Sequence, residues 1–267
     1  MQRSMNGSGC YVGAVRAERP VATLMPLQGM ISFVVPAHNE ERLLSRTLVA
    51  IHAAARALAH PYELIVVDDD STDSTAAVAR ANGARVVRVQ FRHIARTRNA
   101  GAWAATGSTL IFVDADTIVP AAVVRATIEA LGQGAAGGGA TIGLDGRLPP
   151  WAWLLLPVVR GIFRVGHLAA GCYVFCSRAA FDAIGGFDER LYAAEEIAFS
   201  RALRQQGPVI ILREWVTTSG RKLRSHSGWE LLRLCAGLVC TGTAVVRSRE
   251  RLSIWYGDRR DDPDPGA

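Results

Sequence analysis

From Met30 onward, short apolar bursts alternate with longer amphipathic segments. Ile31–Val35 (ISFVV) is a continuous apolar run fit for a buried strand, and Pro36 stops it. Glu41 to Leu58 carries Leu44, Leu48, Ile51, Ala55 and Leu58. Steps of four and three residues place these on one helix face. Glu63–Val67 (ELIVV) predicts a second strand, and acidic residues follow it. Asp73 is placed to cap a helix running to about Ala81. Val86–Val89 predicts a third strand, Ile94 to Thr106 a helix ended by Gly107, and Thr109–Val113 (TLIFV) a fourth strand. Val119–Leu131 is again helical in pattern. Strand–helix alternation at this spacing predicts βαβ units, a mainly parallel sheet and helices on both of its faces: an α/β three-layer sandwich.

The second half is less regular. Gly-rich residues 132–139 lead to a strand near Ala140–Leu144. Trp151 to Phe163 is apolar, rich in Trp and interrupted by Pro157. Tyr173–Cys176 predicts a strand and Glu195 to Gln206 a helix. Val209–Leu212 and Val216–Thr218 read as two short strands. Trp229–Val246 is a last helical pattern, with Arg221, Lys222 and Arg224 before it and Arg247, Arg249 and Arg251 after it. These patterns predict a tail over residues 1–29 and a main domain over 30–225, with a nucleotide-binding half (30–131) and an acceptor half (132–225). A helical extension over 226–257 and a disordered Asp/Arg/Pro-rich tail over 258–267 complete the division.

Composition narrows the class. Apolar residues make up 49% of the chain and charged residues 20%, which fits a folded globular protein. No run of about 18 apolar residues occurs, so the sequence predicts no ordinary membrane-spanning helix. The net charge of +6 rests almost wholly on Arg, Lys222 being the sole lysine. Without a recognition-helix or RNA-binding signature, that charge predicts no nucleic-acid partner. The five cysteines (10, 172, 176, 235 and 240) are odd in number and sparse. Cys172 and Cys176 lie in an apolar run, and buried free thiols are expected there.

Three polar clusters follow strands. PAHNE (36–40) follows the first, DDDSTD (68–73) the second and DAD (114–116) the fourth. In an open parallel sheet the carboxyl ends of strands share one edge, and ligands bind in the crevice there. Residues 78 positions apart in the chain, such as Pro36 and Asp114, are therefore expected to meet. Glu40, Asp68, Asp69, Asp70, Asp114 and Asp116 would line one crevice, where like charges raise one another's pKa. A hard divalent cation, Mg²⁺ or Mn²⁺, relieves that repulsion and keeps open positions for phosphate oxygens.

The runs VVPAHNE, ELIVVDDDSTDST, RNAGAWAATGSTLIFVDAD and GGFDERLYAAEE, in this order and spacing, resemble glycosyltransferase family 2 over about residues 30–225. The resemblance implies the GT-A fold, a nucleotide-diphosphate sugar donor, a divalent metal and inversion at the anomeric carbon. It implies that Pro36, Ala37, His38, Asn39 and Glu40 line the nucleotide pocket. Asp68 and Asp69 match paired acids that hold the base and ribose. Arg98 and Asn99 match a stretch that closes the nucleotide site. Asp114, Ala115 and Asp116 match the metal motif, with Asp116 the direct ligand and Asp114 beside it. Glu195 and Glu196 match a Glu-Asp pair whose second member is the general base. Glu196 is therefore the expected base, with Glu195 able to share or take that role.

Arg221 and Lys222, in SGRKLRSH, suit a diphosphate. His226 is a candidate further metal ligand, with a structural role as the alternative. Gly185 and Gly186 read as a backbone turn and Asp188 as a local turn residue. The chain departs from the family pattern at Asp70, where Gly is common, and at Glu196, where Asp is common. The Gln-x-x-Arg-Trp run of processive synthases is absent from these 267 residues, which predicts transfer of one sugar per encounter.

The Trp151–Phe163 stretch and the basic-flanked final helix are placed either on an anionic bilayer surface, or in a core or homodimer interface. Bilayer contact would suit a lipid-linked acceptor and a cytoplasmic chain peripheral to the inner face of the cell membrane. Two competing readings are a nucleotidyltransferase, which PAHNEER disfavours because it lacks a Gly-rich basic loop, and a non-catalytic nucleotide-sugar-binding module.

Overall fold

The computed structural model describes residues 29–221 and Arg224. Expectations for residues 1–28, for Lys222 and His226, and for the Trp229–Val246 helix and both its flanking tails lie outside the described residues.

The first half alternates as its pattern predicts. It runs β1 (Ile31–Ala37), α1 (Leu44–Ala57), β2 (Tyr62–Asp69), α2 (Thr75–Ala81), β3 (Arg85–Val89), α3 (Ile94–Ala104) and β4 (Thr109–Val113). β5 (Thr117–Ile118), α4 (Ala121–Gly132), β6 (Gly137–Leu144) and α5 (Pro150–Val165) follow. The described chain continues through β7 (Tyr173–Ser177), α6 (Arg178–Ile184), α7 (Glu195–Leu203) and β8 (Val209–Thr218). α2 begins after Ser74, and Asp73 caps it from one position further out, its carboxylate accepting the Thr75 amide at 2.9 Å.

All eight strands form one sheet in the order β3-β2-β1-β4-β7-β6-β8-β5. β1 pairs in parallel with β2 and β4, and β2 with β3. β7 runs antiparallel between β4 and β6, while β6 and β8 are parallel. The carboxyl ends of β2, β1 and β4 are thus neighbours, which gives the crevice its floor.

Side-chain alternation along these strands builds two cores. Phe33, Val35, Val66, Ile111 and Val113 face α1 and α4 through Leu44, Leu48, Ile51, Val123 and Val124. Val34, Ile65, Val67, Leu110 and Phe112 face α3, α6 and α7. On that second side the rings of Phe187 and Phe199 stack at 4.0 Å, and Phe112 meets Phe187 edge-on at 5.0 Å. Phe199 lies one helical turn beyond Glu195, so this aromatic cluster seats α7 against the sheet.

The second half departs from expectation at β8, β6 and α5, and it adds the short helix α6. β8 is one strand, where two short ones were expected. It keeps pairing with β6 across a register shift between Gly139 and Thr141. β6 begins at Gly137, inside the glycine run, because its backbone is wedged between β7 and β8. A Cβ on Gly138 would stand 1.8 Å from the Ile210 carbonyl oxygen. α5 runs through Pro157 without a break. Trp153 and Pro157 are both exposed, so water can take the carbonyl bond that the proline ring cannot make. Cys172 and Cys176 are buried free thiols, as the apolar run suggests, and burial raises both above the usual thiol pKa.

Gly138→Ala is expected to lower stability by about 3 kcal/mol, because β6 and β8 must separate to admit the methyl group. Urea unfolding followed by circular dichroism reads this directly. A midpoint unchanged from wild type would show that the two strands yield freely.

Candidate active site

The loops after β1 and β2 are stitched together. The Asn39 amide donates to Ser71 Oγ at 3.0 Å, and the Glu40 amide donates to Thr75 Oγ1 at 2.7 Å. In return the Thr72 amide donates to Asn39 Oδ1 at 2.8 Å. Asn39 and Asp70 both take left-handed backbone, a conformation that short polar side chains tolerate better than most. Pro36 fits inside the central strand because pairing of β1 with β4 has ended at Val34. Ala37 pairs with Asp68, and His38 Nδ1 lies 2.8 Å from the Asp69 carbonyl oxygen.

Asp68 and Asp69 point to opposite faces of the strand, and their roles separate. Asp68 lies at the carboxyl end of β2, 3.7 Å from Arg88 Nε. Asp69 turns toward α3 and accepts four hydrogen bonds: from the Phe91, Arg92 and His93 amides and from the Thr97 hydroxyl. Burial alone would raise its pKa, but these donors outweigh burial and lower it. Its oxygens are committed to holding residues 91–93 at the start of α3. Expectation placed both acids on the nucleotide; the geometry gives Asp69 a scaffold role in the loop beside it.

Past β4 the chain turns sharply. The Asp114 carbonyl accepts the Thr117 amide, and the Ala115 carbonyl accepts Thr47 Oγ1 at 2.8 Å. These bonds fix the DAD turn with its carboxylates apart. Asp116 Oδ1 accepts Thr218 Oγ1 at 3.1 Å, from the end of β8. Arg221 Nη2 stands 3.4 Å from Glu40 Oε1 and 3.7 Å from Asp116 Oδ2. One guanidinium therefore joins the loop after β1 to the turn after β4. The loop carrying it is pinned where Asp145 Oδ1 accepts the Gly220 amide at 2.7 Å.

Asp114 faces another cation. Arg98, 2% exposed, donates from Nη2 to Asp114 Oδ1 at 3.0 Å and to the Gly171 carbonyl at 2.8 Å. From Nη1 it donates to Glu195 Oε1 at 2.6 Å. Burial would discharge this guanidinium, but Asp114, Glu195 and Glu196 raise its pKa and keep it charged. Glu196 lies close by. A Cβ on Gly171 would stand 3.2 Å from Arg98 Nη2 and 3.7 Å from the Glu196 carboxyl carbon. Burial, then the adjacent Glu195 carboxylate, push Glu196 up to about 8, with Arg98 offsetting part of the rise. Of the two neighbouring acids, Glu195 is the one bonded to Arg98, and Glu196 is the one driven to hold its proton near neutrality.

The structure thus brings Glu40 and Asp116 around Arg221, and Asp114 and Glu195 around Arg98 with Glu196 beside them, and the DAD turn links the two groups. Asn99 stands apart from both. Its side chain donates to the Phe187 carbonyl and to Glu189 Oε1, and accepts the Phe187 amide, so it clamps the loop before α7. That loop carries the Gly185–Gly186 turn, both residues at positive φ, and Asp188 accepts the Arg190 amide as a local turn residue. Thr97 and Thr218 escaped sequence reasoning. Each hydroxyl serves an acid more than 25 residues away, and no local pattern announces such a partner.

Among the described residues, no group of three or more His, Cys, Asp and Glu side chains converges to hold a metal unaided. Asp116 and Glu40, which share the Arg221 Nη2 group, are oxygen donors that already face a cationic group of the chain. Such a set fits a hard ion that takes part of its coordination from water and phosphate.

A family model described as glycosyl transferase family 2 matches residues 32–183, more than half of the chain. An uncharacterized glycosyltransferase of Mycobacterium tuberculosis is 37% identical over 105 residues, 39% of this chain and 45% of that protein. An undecaprenyl-phosphate 4-deoxy-4-formamido-L-arabinose transferase of Pseudomonas fluorescens is 36% identical over 94 residues, 32% of this chain and 27% of its own. The chain therefore spans less than half the length of these curated relatives. Among solved structures, the mannosyltransferase of Pyrobaculum calidifontis, in complex with GDP-mannose and Mn²⁺, superposes with a TM-score of 0.57 at 18% identity. That match covers 88% of this chain and 66% of that one. Glucosyl-3-phosphoglycerate synthase of M. tuberculosis, with Mn²⁺ and UDP-glucose, gives 0.52 at 23% identity over 80% of this chain and 78% of its own. These likenesses show the GT-A fold. With a family match that begins in β1, spans all three strand-end clusters and ends in α6, the chain belongs to glycosyltransferase family 2.

Proposed function

We propose that this chain transfers one sugar from a UDP- or GDP-sugar to an acceptor hydroxyl, with inversion and with Mg²⁺ or Mn²⁺ bound. The observation that carries the proposal is the linked set itself. Carboxylates from the ends of β1 and β4 meet around Arg221, and Arg98 ties the same edge to the Glu195–Glu196 pair. Two structural neighbours were solved with Mn²⁺ and a nucleotide sugar, which supports the donor class. Single transfer rests on the sequence, which carries no Gln-x-x-Arg-Trp run.

The chemistry follows from charge placement. Asp116 would hold the cation with Glu40 and Asp114 beside it, and the cation would supply charge to stabilise the departing diphosphate. Arg221 adds a planar donor fork to the same phosphates. Glu196, once ionised, takes the acceptor hydroxyl's proton as that oxygen bonds to the anomeric carbon. The bond from that carbon to the diphosphate oxygen breaks, and its electron pair leaves with the nucleotide. One base on the face opposite the leaving group is enough for inversion.

The acceptor side fits a lipid-linked substrate. α5 exposes Leu155, Val158, Ile162 and Val165, spaced three and four residues apart on one face, and Trp153 on another side of the helix. Such a face suits peripheral contact with the inner surface of a membrane. No helix among the described residues is long and apolar enough to cross one. The P. fluorescens relative is an undecaprenyl-phosphate transferase, which supports a lipid-linked partner for this chain.

Three outcomes are expected. Glu196→Gln lowers kcat by about 10²–10⁴ while the affinity for UDP or GDP changes little; wild-type turnover in the variant would remove Glu196 from the chemistry. The pH profile of kcat/KM rises toward an apparent pKa near 8, because only ionised Glu196 accepts a proton. Stability runs the other way: the unfolded chain releases this proton near 4.5 and the native chain near 8, so its contribution falls between those values. Urea titrations at pH 5 and pH 8 show the fall, and Glu196→Gln flattens it. In thermal-shift assays, Mn²⁺ with UDP or GDP raises Tm more than either alone, and Asp116→Ala abolishes the metal's share. Equal shifts with and without metal would count against a metal-bridged diphosphate.

A further inference from the structure

Glu196 is useful as a base only if the first turn of α7 is held still, and local sequence does little to hold it. The residue before the helix, Ala194, has left-handed backbone (φ 58°) and makes no side-chain cap. Two adjacent acids, Glu195 and Glu196, open the helix, and each makes the other's ionisation costlier. The fastening comes from elsewhere. Arg98, on the second turn of α3, reaches Glu195 at 2.6 Å, Asp114 at 3.0 Å and the Gly171 carbonyl at 2.8 Å. The Phe187 ring lies 5.4 Å from the guanidinium carbon and closes one side. Gly171 has no Cβ, which leaves room for Arg98 and Glu196 to approach there.

The family resemblance places Arg98 on the nucleotide. The geometry assigns it differently, because both terminal nitrogens already serve Glu195, Asp114 and the Gly171 carbonyl, and Nε is buried away from the crevice surface. We propose that Arg98 is a positioning residue: it clamps Glu195 to the strand end that carries Asp114, fixes the first turn of α7, and so sets where Glu196 presents its carboxylate. The proposal rests on Glu196 being the base, and it makes Arg98 the link through which the donor side and the acceptor side keep one geometry.

The test uses the full chain with Arg98→Gln, Arg98→Lys and Glu195→Gln. It reads Tm, UDP and GDP affinity in MnCl₂ by calorimetry, kcat, KM and the pH profile, and amide hydrogen exchange over residues 195–199. Arg98→Gln is expected to lower kcat at least 100-fold and leave nucleotide affinity within threefold of wild type. Its pH profile shifts toward higher pH, and exchange at 195–199 quickens at least tenfold. Arg98→Lys, a charge without the fork, falls between the two. Nucleotide affinity weakened tenfold with kcat intact would overturn the proposal and return Arg98 to the donor site. Unchanged kcat and unchanged exchange would overturn it as well. Where Arg98→Gln does not fold, Glu195→Gln decides by the same readouts; failure of both to fold assigns the pair to the core and also overturns the proposal. A wild-type chain without turnover sinks the transferase reading alone, since the exchange measurement still judges Arg98.

Discussion

A buried guanidinium shared by two carboxylates is the constraint on which the active-site edge depends. Moving Arg98 out of water costs several kcal/mol, of a size that no single surface contact offsets. Asp114, Glu195 and the Gly171 carbonyl together offset it, and they come from three separate stretches of chain. Once that cost is met, the three stretches cannot drift apart without leaving a charge unpaired in the interior, a loss of about 3–5 kcal/mol. The neighbouring Glu196 then feels burial and a like charge together, which is how an ordinary carboxyl comes to hold its proton near neutrality.

A second cation plays a different part on the same edge. Arg221 is less buried than Arg98 and sits between Glu40 and Asp116, acids drawn from loops 76 positions apart. Both arginines hold acidic strand ends together, but Arg98 is enclosed by protein while Arg221 borders the crevice. A buried link can keep the scaffold fixed. A bordering one can exchange its carboxylates for the phosphates of an incoming nucleotide. This division of labour follows from exposure alone, since the two side chains are chemically identical.

The sequence carried most of the first half and the acidic edge. Apolar runs such as TLIFV and the three-four spacing of Leu44, Leu48 and Ile51 report burial on local geometry, and local geometry is what periodicity records. β6 was partly hidden because its first residues are glycines, whose value is the absence of a side chain beside the Ile210 carbonyl. α6 was hidden by its brevity, since seven residues show barely two turns. Among site residues, Asp114 and Asp116 stood out as acids one residue apart at a strand end, while Glu195 and Glu196 were marked only by the family resemblance. The roles of Asp69, Arg98 and Asn99 did not, because each is defined by partners 16–97 residues away. Family resemblance placed them at the nucleotide, and in the fold their side chains bond to the protein itself.

The central claim is that one rim of the sheet grips an ion and, through it, a nucleoside diphosphate. A crystal structure of the chain with Mn²⁺ and UDP or GDP tests it most directly. The account predicts manganese on Asp116, the diphosphate between that ion and Arg221, and Arg98 still bonded to Glu195. Nucleotide bound away from the ends of β1, β2 and β4, or manganese absent from Asp116 with the nucleotide in place, would contradict it.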